Sequence, residues 1–297
     1  MSDPEMMQTI TQGEGFIAAL DQSGGSTPKA LKGFGIGEDA YANEDEMFAL
    51  IHQMRQRVIT APSFATGKVI GAILFEKTMD GEADGKPVPT ALWERGVVPF
   101  LKVDKGLEDE ADGVQMMKPM PGLDALLERA VAKGIFGTKM RSVIAKASPT
   151  GIAANVTQQF KVANQIIDHG LMPIVEPEVS LTSPERAEAD AILKEELIKA
   201  LDALPEDRQV MLKLSIPAKA GLYDDIVGHP RVARLVALSG GYSRDDACAE
   251  LARNHGMIAS FSRALLQDLR HGMDDTEFDA ALGSAIDQIH RASTVKV

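Results

Sequence analysis

Eight short apolar runs, separated by longer amphipathic or polar stretches, constrain this chain more than any other feature. They are residues 15–20 before Asp21, 68–75, 97–101 before Lys102, 137–138 leading into Lys139 and Arg141, 172–175 before Glu176, 210–214 around Lys213, 236–238 before Ser239, and 257–262 before Arg263. Short apolar runs bounded by turn residues read as strands buried on both faces, the pattern of a parallel sheet. Helical signals lie between them. Asn43 is placed to cap a helix with Met47, Leu50, Ile51, Met54 and Val58 on one face. Residues 123–133 stop at Gly134, and a segment after Asn155 carries Phe160, Val162, Ile166 and Ile167 up to Gly170. Ser183-Pro184-Glu185 opens a long helix that ends before Pro205, and Ser243 with Asp246 resembles a capping box. A last helix shows Phe278, Leu282, Ile286 and Ile289. Strands alternating with helices build βαβ units, and eight of them close an α/β TIM (β/α)8 barrel. A doubly wound open sheet would carry a glycine-rich dinucleotide fingerprint after its first strand, and Asp21-Gln22-Ser23-Gly24-Gly25-Ser26 lacks that spacing.

No Ser/Gly-rich linker, repeat or low-complexity block divides the 297 residues, so the expectation is one catalytic domain over 1–297. The charge runs at 81–87 and 108–113 read as solvated loops. A net charge of −12 argues against nucleic acid and anionic membranes as partners. One cysteine, Cys248, allows no intramolecular disulfide and suits a reducing compartment, and no run is long or apolar enough to span a membrane. The expected location is therefore cytoplasmic. The six histidines show no metal-ligand spacing, so neither a metal nor another cofactor is expected. A homo-oligomer is compatible with this composition, although no residue pattern defines its interface.

The chemistry is concentrated where the apolar runs end. A lysine inside an apolar strand is costly as a charge, and the free amine that desolvation favours is the nucleophile of Schiff-base chemistry. Lys213 occupies that position, and a second cation nearby, Lys139, would favour the neutral amine further. Taken alone, Lys213 would more often be an edge-strand or snorkelling lysine; its companions alter that. In a TIM barrel the C-terminal strand ends meet at one mouth, so Asp21, Lys102, Lys139, Glu176, Lys213, Ser239 and Arg263 would converge. Glu176 would shuttle protons, and Asp21 would handle a substrate hydroxyl. Ser239-Gly240-Gly241 and Arg263 follow the last two strands, where phosphate is commonly held in this fold. Ser23, Ser26 and Lys102 would hold a second anion across the mouth.

Taken in order, Ala19-Leu20-Asp21-Gln22-Ser23-Gly24-Gly25-Ser26, Leu101-Lys102-Val103-Asp104-Lys105-Gly106, Lys139-Met140-Arg141, Pro173-Ile174-Val175-Glu176-Pro177-Glu178, Leu212-Lys213, Leu238-Ser239-Gly240-Gly241 and Ser262-Arg263-Ala264-Leu265 resemble class I fructose-bisphosphate aldolases. The resemblance implies a metal-independent lyase acting on a sugar phosphate. It matches Lys213 to the Schiff-base lysine, Glu176 to the proton acceptor and donor there, Asp21 to the aspartate near the cleaved bond, and Lys139 to the polarising lysine. Ser239, Gly240, Gly241 and Arg263 match the ketose phosphate site, Ser23, Ser26 and Lys102 the far end, and Arg141 and Glu178 supporting pocket charges. Gln22, Ala30 and Phe261 stand where the animal enzymes have glutamate, arginine and tyrosine, and residues 293–297 lack their terminal tyrosine, as in a shorter bacterial branch. Two rivals are another Schiff-base aldolase of this barrel type and a non-catalytic sugar-phosphate-binding protein.

Overall fold

The structure is a computed structural model that describes residues 3–297; the first two residues of the expected 1–297 span lie outside the described ones. Eight parallel strands form its centre: β1 (Phe16–Leu20), β2 (Val69–Leu74), β3 (Val98–Lys102), β4 (Gly137–Ile144), β5 (Met172–Val179), β6 (Val210–Ser215), β7 (Val232–Leu238) and β8 (Met257–Phe261). They pair in the cyclic order β3-β2-β1-β8-β7-β6-β5-β4. The ring closes where Phe100, Leu101 and Lys102 of β3 meet Gly137, Thr138 and Lys139 of β4, so the expected TIM barrel is the observed fold. Gly137 suits that junction, because a β-carbon there would sit 2.2 Å from the carbonyl oxygen of Met172.

Around the barrel lie α1 (Pro4–Gln12), α2 (Ser26–Phe34), α3 (Glu44–Thr60), α4 (Val88–Trp93), α5 (Leu123–Ala132), α6 (Pro149–Asp168), α7 (Arg186–Asp202), α8 (Arg244–Ala252) and α9 (Asp275–Thr294). Asn43 caps α3 by accepting the amide of Glu46 at 3.0 Å, and Ser243 caps α8 by accepting that of Asp246 at 3.1 Å, both as the sequence implies. Two helix starts differ from expectation. Helix α6 begins at Pro149 on a Ser148 cap, well ahead of Asn155, which lies inside the helix. Helix α7 begins at Arg186, because Ser183 accepts the amide of Glu185 at 3.3 Å in a turn ahead of it. The run at 81–87 is also more ordered than a plain loop, with Glu82–Ala83 pairing antiparallel to Lys86–Pro87.

Strand alternation sends every second side chain into the barrel. Ile17, Ala19, Ile73, Val98, Phe100, Ile174, Met211, Val236 and Ile258 form an inner apolar cluster distinct from the larger one under the helices. Met6 and Ile10 of α1 join this inner cluster, so α1 floors the barrel. Arg234 of β7 fixes α1 by donating to the carbonyls of Thr11 at 2.8 Å and Gly13 at 3.0 Å. With one end plugged by an apolar helix, the charged side chains at the C-terminal strand ends have a single open mouth.

Candidate active site

Continuing the inward alternation past the apolar layers gives Asp21 after β1, Lys102 on β3, Lys139 and Arg141 on β4, Glu176 and Glu178 on β5, and Lys213 on β6. Strand β5 continues to Val179, so both glutamates are strand residues rather than loop residues. Four of these side chains form one continuous chain of ion pairs. Lys213 Nζ lies 3.2 Å from Glu176 Oε1, Lys139 Nζ lies 3.0 Å from Glu176 Oε2, and Lys139 Nζ lies 2.6 Å from Asp21 Oδ2. Lys213 is 4% exposed, and Lys139 and Glu176 are 3% exposed, so these charges interact with little screening.

Burial opposes ionisation of Asp21, but Lys139, Lys213 and Lys102 outweigh it and hold the carboxyl well below its usual range. For Lys139, burial opposes the charge, and Asp21, Glu176 and Asp104 reverse the balance and push the ammonium above its usual range. Lys139 therefore differs from the bare cation beside Lys213 that the sequence suggests: it is a cation matched by two carboxylates, one reached across the barrel.

A second layer fixes this layer. Gln159 of α6 is buried, and its Oε1 accepts the amide of Glu176 at 2.9 Å. Asp104 accepts from Lys102 Nζ at 2.8 Å and from the Arg141 amide at 3.2 Å, tying the ends of β3 and β4 together. Arg141 pairs through Nε with Glu178. Sequence reasoning missed Gln159 and Asp104 as site residues. Asp104 stood within the Lys-Val-Asp-Lys-Gly segment, and Gln159 sat on the apolar stripe of a helix beside Val156 and Phe160.

On the other side of the mouth, Gly240 and Gly241 have φ of 59° and 123°, which only glycine adopts freely, and a β-carbon on Gly240 would also meet Leu181 at 2.8 Å. A β-carbon on Gly241 would lie 3.6 Å from Arg263 Nη2, so this backbone turn and that guanidinium are neighbours. Ser239 is buried beside them, while Arg263 is exposed and makes no hydrogen bond or ion pair among the described residues. Ser23 and Ser26 close a turn on each other: Ser26 Oγ donates to the Ser23 carbonyl at 2.8 Å and accepts its amide at 2.9 Å. Among the described residues no group of three His, Cys, Asp or Glu side chains could hold a metal ion, and no helix is long and apolar enough to cross a membrane. A cleft of about 340 Å³ lined by Glu76, Val103, Lys105, Met120, Leu126 and Arg129 borders the segment after β3, next to Lys102 and Asp104.

A closed parallel barrel with a buried lysine, a carboxylate on that lysine and an arginine beside a glycine turn is the layout of a lyase that works through an amine. Residues 5–216 match the family model for fructose-bisphosphate aldolase class-I, and the chain belongs to that family. Among solved structures it is similar to a fructose-bisphosphate aldolase from Plasmodium falciparum, crystallised with TRAP and a small-molecule inhibitor. The identity is 21% over 97% of this chain and 93% of that one, with a TM-score of 0.78. It is also similar to an archaeal fructose 1,6-bisphosphate aldolase, at 13% identity over 98% of both chains and a TM-score of 0.57. A further archaeal aldolase, whose catalytic lysine is covalently bound to the carbinolamine intermediate of its substrate, matches at 13% over 96% of this chain and 98% of that one, with a TM-score of 0.54. These three likenesses establish the barrel fold; the family membership establishes an aldolase acting on a sugar phosphate.

Proposed function

We propose that the whole 1–297 span acts as one catalytic domain that reversibly cleaves fructose bisphosphate to dihydroxyacetone phosphate and glyceraldehyde 3-phosphate, serving glycolysis and gluconeogenesis in the cytoplasm. The observation that carries this reading is the buried chain Lys213–Glu176–Lys139–Asp21 at the barrel mouth. Lys213 as the free amine attacks the ketose carbonyl carbon, forming the C–N bond of a carbinolamine. Glu176, 3.2 Å from Nζ, first takes the proton the Lys213 ammonium sheds to become that amine; after a second Nζ proton has moved to the former carbonyl oxygen, Glu176 returns its own to that oxygen, which leaves as water and gives the protonated imine. That imine withdraws electrons from the neighbouring carbon–carbon bond. Asp21, ionised beside Lys139, takes the proton of the substrate hydroxyl as that bond breaks, releasing the aldehyde and leaving an enamine on Lys213. Protonation of the enamine carbon and hydrolysis return the ketose phosphate and the amine. Lys139 lies between the two carboxylates, 3.0 Å from Glu176 Oε2 and 2.6 Å from Asp21 Oδ2, and holds them apart.

The experiment that tests this reading is cleavage of fructose bisphosphate followed through both three-carbon products, before and after prolonged chelator treatment. Full activity is expected in both samples. Activity lost in chelator and regained with zinc would overturn the amine mechanism.

The glycine turn and the unpaired Arg263 support a ketose phosphate site, with Ser239 contributing its hydroxyl. Arg263→Ala removes a planar, charge-assisted donor. It is expected to weaken dihydroxyacetone phosphate binding by roughly 10–100-fold, as for loss of hydrogen bonds to a charged group, while the melting temperature stays unchanged because Arg263 is exposed. Unaltered affinity, measured by calorimetry, would move the phosphate elsewhere.

A further inference from the structure

Helix α3 carries an arginine on its apolar stripe, between Ile51, Met54 and Val58. Arg55 is 1% exposed, and its donors reach only neutral groups: Nη1 donates to Thr78 Oγ1 at 2.8 Å, and Nη2 donates to the Gln22 carbonyl at 2.5 Å and to Gln22 Oε1 at 3.2 Å. Its Nε has no partner, and no carboxylate forms an ion pair with it among the described residues. Buried arginines are ordinarily paired, because a lone charge out of water lowers stability. Burial does pull this guanidinium down, to about 10, against the opposing pull of Asp21, and it remains charged at neutral pH.

Other cations of the mouth are matched. Lys139 faces Asp21 and Glu176, Lys213 faces Glu176, Lys102 faces Asp104, and Arg141 faces Glu178. Among the described residues three guanidiniums around the mouth have no ion pair: Arg186, which donates to Tyr242 Oη after the glycine turn and to the Ile216 carbonyl after β6, Arg263 at the end of β8, and Arg55 beneath the loop after β1. A hydrogen bond of 2.5 Å from Gln22 Nε2 to Ser262 Oγ joins the loop above Arg55 to the loop that carries Arg263. Unmatched positive charge on both sides of the mouth, Arg186 and Arg263 on one and Arg55 on the other, is what a substrate with two phosphates requires in a chain whose overall charge of −12 repels it.

We propose that Arg55 is a specificity-determining residue for the reaction above: a buried positive charge, left unpaired because residue 22 is glutamine, that favours a second phosphate at the β1-loop end of the substrate. It acts through the field rather than by contact, since it is buried beneath the loop and its Nη1 and Nη2 atoms are engaged by Thr78 and Gln22. The inference rests on the proposed aldol cleavage, and it makes Gln22 the residue that sets the local charge.

The test compares kcat/KM for fructose bisphosphate with that for the 1-monophosphate in the wild type, Gln22→Glu, Arg55→Met and Arg55→Lys, alongside thermal melting. Gln22→Glu puts a carboxylate on the guanidinium. The bisphosphate preference is expected to fall about tenfold, the scale of one unit charge acting across several ångströms of protein, while the melting temperature rises by ~2–4 °C as the lone charge gains a partner. Arg55→Met should lower the preference similarly, and Arg55→Lys should retain it. A purely structural arginine would give the opposite pairing in Gln22→Glu, greater stability with the preference intact, and that result overturns the inference even if Arg55→Met fails to fold. A wild type that cleaves neither sugar phosphate would instead remove the aldolase reading itself.

Discussion

Lys139→Met is expected to unfold at lower denaturant and to lose most of its turnover, and the size of the loss should depend on pH. The side chain is the shared cation of Asp21 and Glu176, and the variant leaves two buried carboxylates with only Lys213 between them. Removing one partner from a buried pair costs about 3–5 kcal/mol, because the remaining charge keeps its desolvation penalty. The pH dependence follows from the directions of the two shifts. The Asp21 carboxyl is held below its unfolded value in the wild type, so its ionisation stabilises the fold above the ordinary carboxylate range of about 4 and loses that contribution as pH falls further. Lys139 is held above its ordinary value, so its contribution is complete at neutral pH and is lost only in strong alkali. The deficit of Lys139→Met relative to wild type should therefore be greatest near pH 7 and shrink as acid protonates the carboxylates. Urea melts at pH 7 and below pH 4 measure it. A deficit that grew in acid would contradict the assignment of Lys139 as their counter-ion. Turnover should fall by roughly 10²–10³-fold, as for a general acid–base group left misplaced and wrongly charged.

What the sequence conveyed, and what it withheld, divides along the same physical line. The strand ends were readable because each apolar run stops at a polar or charged residue, and a floor of apolar side chains leaves only one end of the barrel for charge. Lys213 and Glu176 could be placed together because consecutive strands such as β5 and β6 are neighbours in a (β/α)8 barrel. The partnership of Lys139 with Asp21 could not: β4 and β1 are on different sides of the barrel, and only the length of a lysine stem brings the two groups to 2.6 Å. The apolar run 172–175 ends before Glu176, yet β5 continues through Pro177 in register with Ser142, which lines Glu176 and Glu178 along one face. Ser148-Pro149 and Ser183-Pro184 are the same local helix signal, but only the first lies at a helix start, because packing against the barrel decides where the second chain segment turns. Arg55 and Gln159 left a trace as polar residues on apolar helix stripes, one that becomes meaningful only when the helices dock onto β1 and β5.

Lys213→Met is expected to reduce kcat/KM by 10⁴-fold or more, about 5.4 kcal/mol at ~1.36 kcal/mol per decade. No other group can take over a covalent step that splits one difficult bond cleavage into easier parts. The fold should persist, since methionine fills a similar volume and Lys139 still faces Glu176 as its counter-ion. Glu176→Gln should slow imine formation while leaving the nucleophile in place. The most direct measurement is borohydride reduction in the presence of dihydroxyacetone phosphate, followed by intact mass and peptide mapping. One substrate-derived adduct per chain on Lys213, with matching loss of activity and no adduct in Lys213→Met, is the predicted result. An adduct on Lys139 or Lys102, or undiminished turnover with no adduct at all, would contradict it.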